Sequence, residues 1–191
     1  MMNAMMNGVV VFLMVVVVAK AQVPLPGSCP DVQTQPDFDL NQFLGLWFES
    51  ERYFAGPEVL GKCVTAEYSL GDNGTVSILN SQINKITGTP TSIAGYGTAS
   101  KDDPAKLSIV FPSLPVKIQA PYWILDTDYK NYVVVWSCND FLLFNTRSAW
   151  ILTRSNNPTK AILQKAYSAL EKNGISTELL IKTDQTNCPS N

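Results

Sequence analysis

From Gly45 onward the chain alternates apolar and polar residues in short runs, and turn-forming residues break the alternation at close intervals. The runs are 45–54, 63–71, 75–84, 92–100, 106–111, 121–127, 131–137 and 147–154. A period of two bounded by Gly, Pro, Asn and Asp predicts eight β-strands. Between the second and third, Asp72-Asn73-Gly74 supplies residues that tolerate positive φ, as a tight type I′ hairpin requires. Pro112, Pro115 and Pro121 border the connection between the fifth and sixth, where a missing N–H harms no ladder.

After the eighth run the period lengthens. Asn157 can cap a helix, Pro158 fits its first turn, and Asn173-Gly174 fits its end. Ile162, Leu163, Ala166, Tyr167 and Leu170 then fall on one face. Eight sequential strands followed by one amphipathic helix predict an all-β fold, an eight-stranded up-and-down antiparallel β-barrel with one C-terminal α-helix packed outside. Closure leaves no exposed sheet edge, and a barrel of eight strands has room for one small ligand.

The region before the first strand reads differently. Gly8 to Ala19 is an apolar run followed by Ala19-Lys20-Ala21, a small-x-small cleavage pattern. The run is shorter than the roughly 20 residues a spanning helix needs. Residues 1–21 are therefore expected to be a signal peptide of a secreted, extracellular protein, and residues 22–191 a single domain, with no repeat or linker dividing it.

Composition narrows the chemistry. Lys and Arg number 14 against 16 Asp and Glu, a net charge of −2, and the charges are scattered without a basic block. Nothing here points to nucleic acid. Histidine is absent, which removes the commonest general base and the usual zinc ligand, so no metal site and no catalytic residue is assigned. Four cysteines, Cys29, Cys63, Cys138 and Cys188, are too widely spaced for a short metal motif and in a secreted chain predict two disulfides, in any of three pairings. Two of the three pairings close a loop on the order of 100 residues, worth roughly 4–5 kcal/mol by chain entropy. Asn73-Gly74-Thr75 is a candidate N-glycosylation sequon at the predicted hairpin tip.

Three sparse motifs punctuate the strands: Gly45-x-Trp47 after a short helical lead-in (38–43), Thr127-Asp128-Tyr129 between the sixth and seventh strands, and Arg154 after the last. In order and spacing they resemble the three signature regions of the lipocalins, over essentially the whole mature chain. The stretches Ala120 to Tyr132 and Thr183 to Pro189 resemble the apolipoprotein D branch of that family and its insect relatives. The resemblance implies pairing of Cys29 with Cys138 and of Cys63 with Cys188. It also implies that Trp47 closes the narrow end of the barrel while the Arg154 guanidinium stacks across its indole, a cation–π lid. Asp128 and Tyr129 would be a turn aspartate and a packed tyrosine at the same end.

Carrying the family register onto this chain gives the expected lining, because alternate residues face inward. Val64, Ala66 and Tyr68 come from the second strand, Val76, Ile78 and Asn80 from the third, and Gly95, Gly97 and Ala99 from the fourth. Leu107, Ile109 and Phe111 follow from the fifth, Tyr122 and Ile124 from the sixth, Val133 and Val135 from the seventh, and Trp150 and Leu152 from the eighth. The small residues Ala66, Gly95, Gly97 and Ala99 are expected to leave a cavity rather than a filled interior. Tyr68, Tyr122, Asn80 and the Trp150 indole are its few polar groups, enough to orient one end of a hydrophobic guest.

The resemblance thus implies binding and transport of a small hydrophobic ligand: a fatty acid, sterol, retinoid or carotenoid, or bilin, with no cofactor required beyond such a bound lipid or chromophore. A second reading is an apolar mouth formed by Pro112 to Pro121 and by Phe141-Leu142-Leu143-Phe144, meeting a lipoprotein, a membrane surface or another copy of the chain. A thiol-dependent lipid isomerase, known in one branch of the family, needs a free cysteine that two disulfides would consume.

Overall fold

Each of the eight alternating runs forms a strand in the computed structural model, which describes residues 23–54, 60–114 and 119–189. The N-terminal apolar run and its cleavage pattern lie outside the described residues. In chain order the elements are β1 (Val23–Pro26), α1 (Leu40–Phe43), β2 (Gly45–Tyr53), β3 (Gly61–Leu70), β4 (Val76–Asn84), β5 (Pro90–Ala99), β6 (Lys106–Val110), β7 (Ala120–Thr127), β8 (Tyr132–Asp140), β9 (Phe144–Thr153), α2 (Lys160–Lys172) and β10 (Leu180–Lys182). From β2 to β9 every strand pairs antiparallel with its sequence neighbours, and β9 closes on β2. The barrel is the eight-stranded one expected.

Two apolar layers account for the patterning. Inside, Trp47, Tyr68, Ile78, Leu107, Ile124, Val133 and Leu152 pack into one buried cluster with Phe38 and Phe43. Outside, Tyr53, Val134, Trp136, Ile151 and the α2 residues Ala166, Ala169 and Leu170 form a second. β8 serves both, Val133 and Val135 facing the interior and Val134 and Trp136 facing α2. Its sequence is consequently a continuous apolar run instead of a clean alternation.

The Asp72-Asn73-Gly74 hairpin has the predicted I′ geometry. Asn73 lies at φ 57, ψ 30, Gly74 at φ 76, and Thr75 N–H donates to the Asp72 carbonyl at 3.2 Å. The α2 cap differs from expectation. Thr159, not Asn157, is the N-cap, its hydroxyl accepting from Ile162 N–H at 3.4 Å, so Pro158 precedes the cap instead of occupying the first turn. The Asn157 N–H is engaged by Ser155 Oγ at 3.2 Å in the preceding bend. The end is as expected, with Asn173 as C-cap and Gly174 at φ 67. The lead-in helix is also shorter than 38–43, because Asp39 caps it by accepting from Asn41 and Gln42 N–H.

β1 and β10 are additions to the predicted set. β1 lies along β9, and Cys29 beyond it is bonded to Cys138 of β8. β10 has a more consequential place. β2 pairs with β3 only from Gly45 to Phe48, and β10 takes over that edge from Glu51 to Tyr53. The tail continues between the diverging strands: Thr183 N–H donates to Ser50 O, and Cys63 N–H to Asp184 O. The Gln185 amide spans the gap, donating to Glu49 O and Val64 O at 2.8 Å each. Cys63–Cys188 locks the tail there. The C-terminal tail is thus a stave of the barrel wall.

Candidate functional site

The floor of the barrel is built by the three motif regions together. Trp47 is fully buried, donates from Nε1 to Phe43 O at 2.8 Å, and carries the Arg154 guanidinium carbon 3.6 Å above its ring centroid. The same guanidinium donates to five main-chain carbonyls: Leu46, Leu44, Tyr129, Phe43 and Gln42, at 2.8–3.1 Å. One side chain therefore ties α1, the start of β2 and the β7–β8 turn. Gly45 has to be glycine here, since its φ is 97 and a Cβ would approach Arg154 Nη1 to 3.3 Å.

Asp128 holds the β7–β8 turn. Its carboxylate accepts from Asn131 N–H and Nδ2 at 2.7 Å each and from Tyr132 N–H at 3.2 Å. Partial burial pushes its pKa up, but these hydrogen bonds outweigh burial and hold it below the usual carboxylate range. Thr127 Oγ1 accepts from Tyr129 N–H and donates to Tyr132 O, and the Tyr129 hydroxyl accepts from Asp39 N–H at 3.0 Å. Thr127, Asp128 and Tyr129 are in this way engaged in turn and floor contacts.

Above the floor lies a cavity of about 410 Å³, within the roughly 300–1,000 Å³ of small-molecule sites. Of the expected lining it collects Val64, Ala66, Tyr68, Asn80, Phe111, Tyr122, Trp150 and Leu152. Val76, Ile78, Leu107, Ile109, Ile124, Val133 and Val135 also face inward, but they fill the lower interior around Phe43 and Trp47, with Ala99 packed against them. The expectation that small residues would open the cavity fails for two glycines. A Cβ on Gly95 would lie 2.7 Å from the Phe111 ring, and one on Gly97 would touch Ile109 and Leu107 at 3.4 Å. Their missing side chains make room for β6 neighbours instead.

The cavity also takes in Glu49, Gln82, Thr91, Ile93 and Leu114, which sequence reasoning missed. Strand parity extended one step further along β4 would have found Gln82, and one and two steps along β5 would have found Ile93 and Thr91. Glu49 is 3% exposed, accepts from Thr183 Oγ1 at 2.5 Å and is ion-paired with Arg52 Nε at 3.3 Å. A bulge between Glu49 and Glu51 lets Arg52 pair with Trp150 and turns Glu51 toward Tyr167 of α2. A larger hollow of about 720 Å³ lies beside Cys63–Cys188 and shares Thr65, Ser81, Gln82, Thr91 and Ser92 with the cavity wall.

The cavity wall is apolar with a few placed polar groups. Tyr68 and Tyr122 share a hydroxyl–hydroxyl bond of 2.5 Å, and the Tyr122 ring lies 5.9 Å from that of Trp150. Burial pushes the Tyr68 pKa well above the phenol range, opposed by the Tyr122 bond and reinforced by the Glu49 carboxylate. Tyr68 is therefore neutral at physiological pH. At the open end, Phe141, Leu142 and Leu143 are 53%, 97% and 80% exposed, and Leu114 is 47% exposed. The Phe141 and Phe144 rings stack at 4.8 Å. Residues 115–118 of the expected mouth lie outside the described residues.

All four cysteines are in the two disulfides, which leaves a thiol-dependent isomerase without its nucleophile.

Residues 44–187 match the lipocalin / cytosolic fatty-acid binding protein family. Apolipoprotein D of Mus musculus is 39% identical over 165 residues, 85% of each chain. Lazarillo protein of Schistocerca americana is 34% identical over 165 residues, covering 83% of this chain and 75% of its own. Among solved structures, insecticyanin from the tobacco hornworm Manduca sexta superposes with a TM-score of 0.76 at 28% identity, over 87% of this chain and 90% of that one.

Proposed function

The chain belongs to the lipocalin / cytosolic fatty-acid binding protein family, and we propose that it is an exported protein that binds and carries one small hydrophobic molecule inside its barrel. The observation that carries this reading is the cavity of about 410 Å³, lined mainly by apolar and aromatic side chains and closed below by Trp47 and Arg154. Burial of an apolar guest against Trp150, Leu152, Phe111, Ile93 and Ala66 supplies the affinity at about 25 cal/mol per Å². The polar groups then orient it. Fatty acids, sterols, retinoids, carotenoids and bilins all belong to the proposed ligand class.

Export is supported by the apolar run 8–19 with its cleavage pattern and by two disulfides, which persist in oxidising compartments. A glycan on Asn73 would leave from the closed end and keep the mouth clear. Native mass spectrometry and absorption spectra of protein purified from its source test the proposal. One small apolar molecule per chain is expected, coloured if it is a bilin or carotenoid. Protein that is ligand-free as purified and takes up none of these classes would overturn it.

The exposed rim favours one compatible second reading, docking of the open end on a lipid surface during loading. Leu142 and Leu143 project at the β8–β9 tip, flanked in sequence by the stacked Phe141 and Phe144. Exchange of both leucines for serine is expected to abolish flotation with phosphatidylcholine vesicles and leave the melting temperature unchanged. Equal flotation of the variant would remove this reading.

A further inference from the structure

β2 and β3 part beyond Phe48 and Thr65, the last pair of their ladder, and a bulge in β3 between Lys62 and Thr65 widens the seam. The next residues, Glu49 and Val64, both line the cavity. They are joined through the C-terminal tail, whose Gln185 amide donates to both of their carbonyls. Gln185 itself lines the larger hollow, together with Cys63 and Cys188. One tail side chain therefore stands between cavity-lining residues and that hollow, and the two spaces share five wall residues beside it.

Residues 183–187 cross the seam as a strap anchored at both ends. β10 holds one end on β2, and Cys63–Cys188 holds the other. Between the anchors the sequence is Thr-Asp-Gln-Thr-Asn, without one large apolar side chain. Polar bonds hold it instead: Thr183 N–H to Ser50 O, Thr183 Oγ1 to the Glu49 carboxylate, Cys63 N–H to Asp184 O, and the two from Gln185. Segments without buried apolar contacts are those that open at low free energy. The disulfide end also carries strain. Cys63 lies at φ 54, a left-handed conformation that a non-glycine residue keeps only while its surroundings impose it.

Resting on the transport reading above, we propose that residues 183–187 are a side gate to the cavity, latched by Cys63–Cys188, and that this bond sets how long the barrel keeps its guest. With the latch closed the strap stays on the seam, and the guest leaves slowly. With the latch open, relief of the Cys63 backbone favours release of the strap, and the guest exchanges between β2 and β3. The gate acts on rates rather than on affinity, because Cys63, Gln185 and Cys188 are not among the cavity-lining residues.

The test follows release of diphenylhexatriene into excess phosphatidylcholine vesicles, read by loss of energy transfer from tryptophan, beside its Kd from titration. Exchanging Cys63 and Cys188 for serine is expected to speed release about tenfold, the scale of one or two hydrogen bonds taken off the barrier, with Kd within about threefold of the parent. Gln185→Ala, with both disulfides intact, should speed release several-fold, and it carries the test alone if the serine pair fails to fold. Exchanging Cys29 and Cys138, which tie the N-terminal segment to β8, for serine should leave the release rate within about twofold. Unchanged release from the Gln185 and Cys63/Cys188 variants would overturn the inference. So would equal acceleration in the Cys29/Cys138 variant, which would mean general loosening, or acceleration matched by an equal rise in Kd. Failure of diphenylhexatriene, fatty acids, retinoids and bilins to saturate the parent would instead bring down the transport reading and this inference with it.

Discussion

Replacing Arg154 with methionine tests the floor of the barrel. The substitution removes the guanidinium 3.6 Å above Trp47, an interaction of about 1–2 kcal/mol when partly desolvated. It also removes the donor to the carbonyls of Gln42, Phe43, Leu44, Leu46 and Tyr129. Arg154 is half-buried, so some of these carbonyls regain water, and the net loss is about 0.5 kcal/mol for each, the low end for such bonds. The total is on the order of 4 kcal/mol. At about 2–4 °C per kcal/mol for a domain of this size, thermal unfolding of the ligand-free protein should fall by roughly 8–16 °C. Arg154→Lys keeps the charge but loses the planar fork that reaches five acceptors, and is expected to recover at most about half of the loss. Calorimetry on parent and both variants decides it. A drop below about 3 °C for methionine, or a lysine variant as stable as the parent, would refute the claim that this one side chain ties three segments together.

Other consequences follow from the same geometry. Trp150→Ala, which removes a cavity wall and its contact with Tyr122, should weaken binding of an apolar guest several-fold with little change in the melting temperature; a collapse of the fold would place Trp150 in the core instead. Replacing Cys63 and Cys188 by serine opens a loop of sequence separation 125, for which chain entropy gives about 4–5 kcal/mol, and should make residues 180–189 sensitive to protease before the rest of the chain. Simultaneous cleavage throughout the chain would contradict the tail's place as a separate stave. Burial pushes the Tyr53 and Tyr167 hydroxyls up from 10.0 to about 12. Their folded pKa is above the unfolded one, so their contribution is complete below pH 10 and is lost as pH rises from 10 through 12. Urea midpoints should therefore hold to pH 10 and then fall, and a flat midpoint at pH 12 would count against it.

The strands and the outer helix were legible because each depends on a local pattern, period two or a helix period, whereas the closing Trp47–Arg154 pair was legible only through the resemblance to the lipocalin signature regions. What was hidden depends on the neighbours. β1 and β10 are too short for periodicity, and β1 reads Val-Pro-Leu-Pro, a sequence that pairs only at an edge. The β2 bulge re-aims Arg52 and Glu51, and no two-residue period announces it. The glycines of β5 were legible as inward positions, yet whether an inward glycine leaves space or admits a neighbour depends on Phe111 and Ile109 across the ladder. Asn157 and Thr159 are both good caps two residues apart, and the backbone chose the second.

Titration of delipidated protein with apolar guests tests the central claim most directly, read by tryptophan quenching and by calorimetry at several temperatures. One saturable guest per chain is expected, with a negative heat-capacity change from burial of apolar surface and with affinity reduced by Trp150→Ala. Absence of saturable binding across fatty acids, sterols, retinoids and bilins, or saturation untouched by Trp150→Ala, would contradict a carrier whose cargo sits inside the barrel.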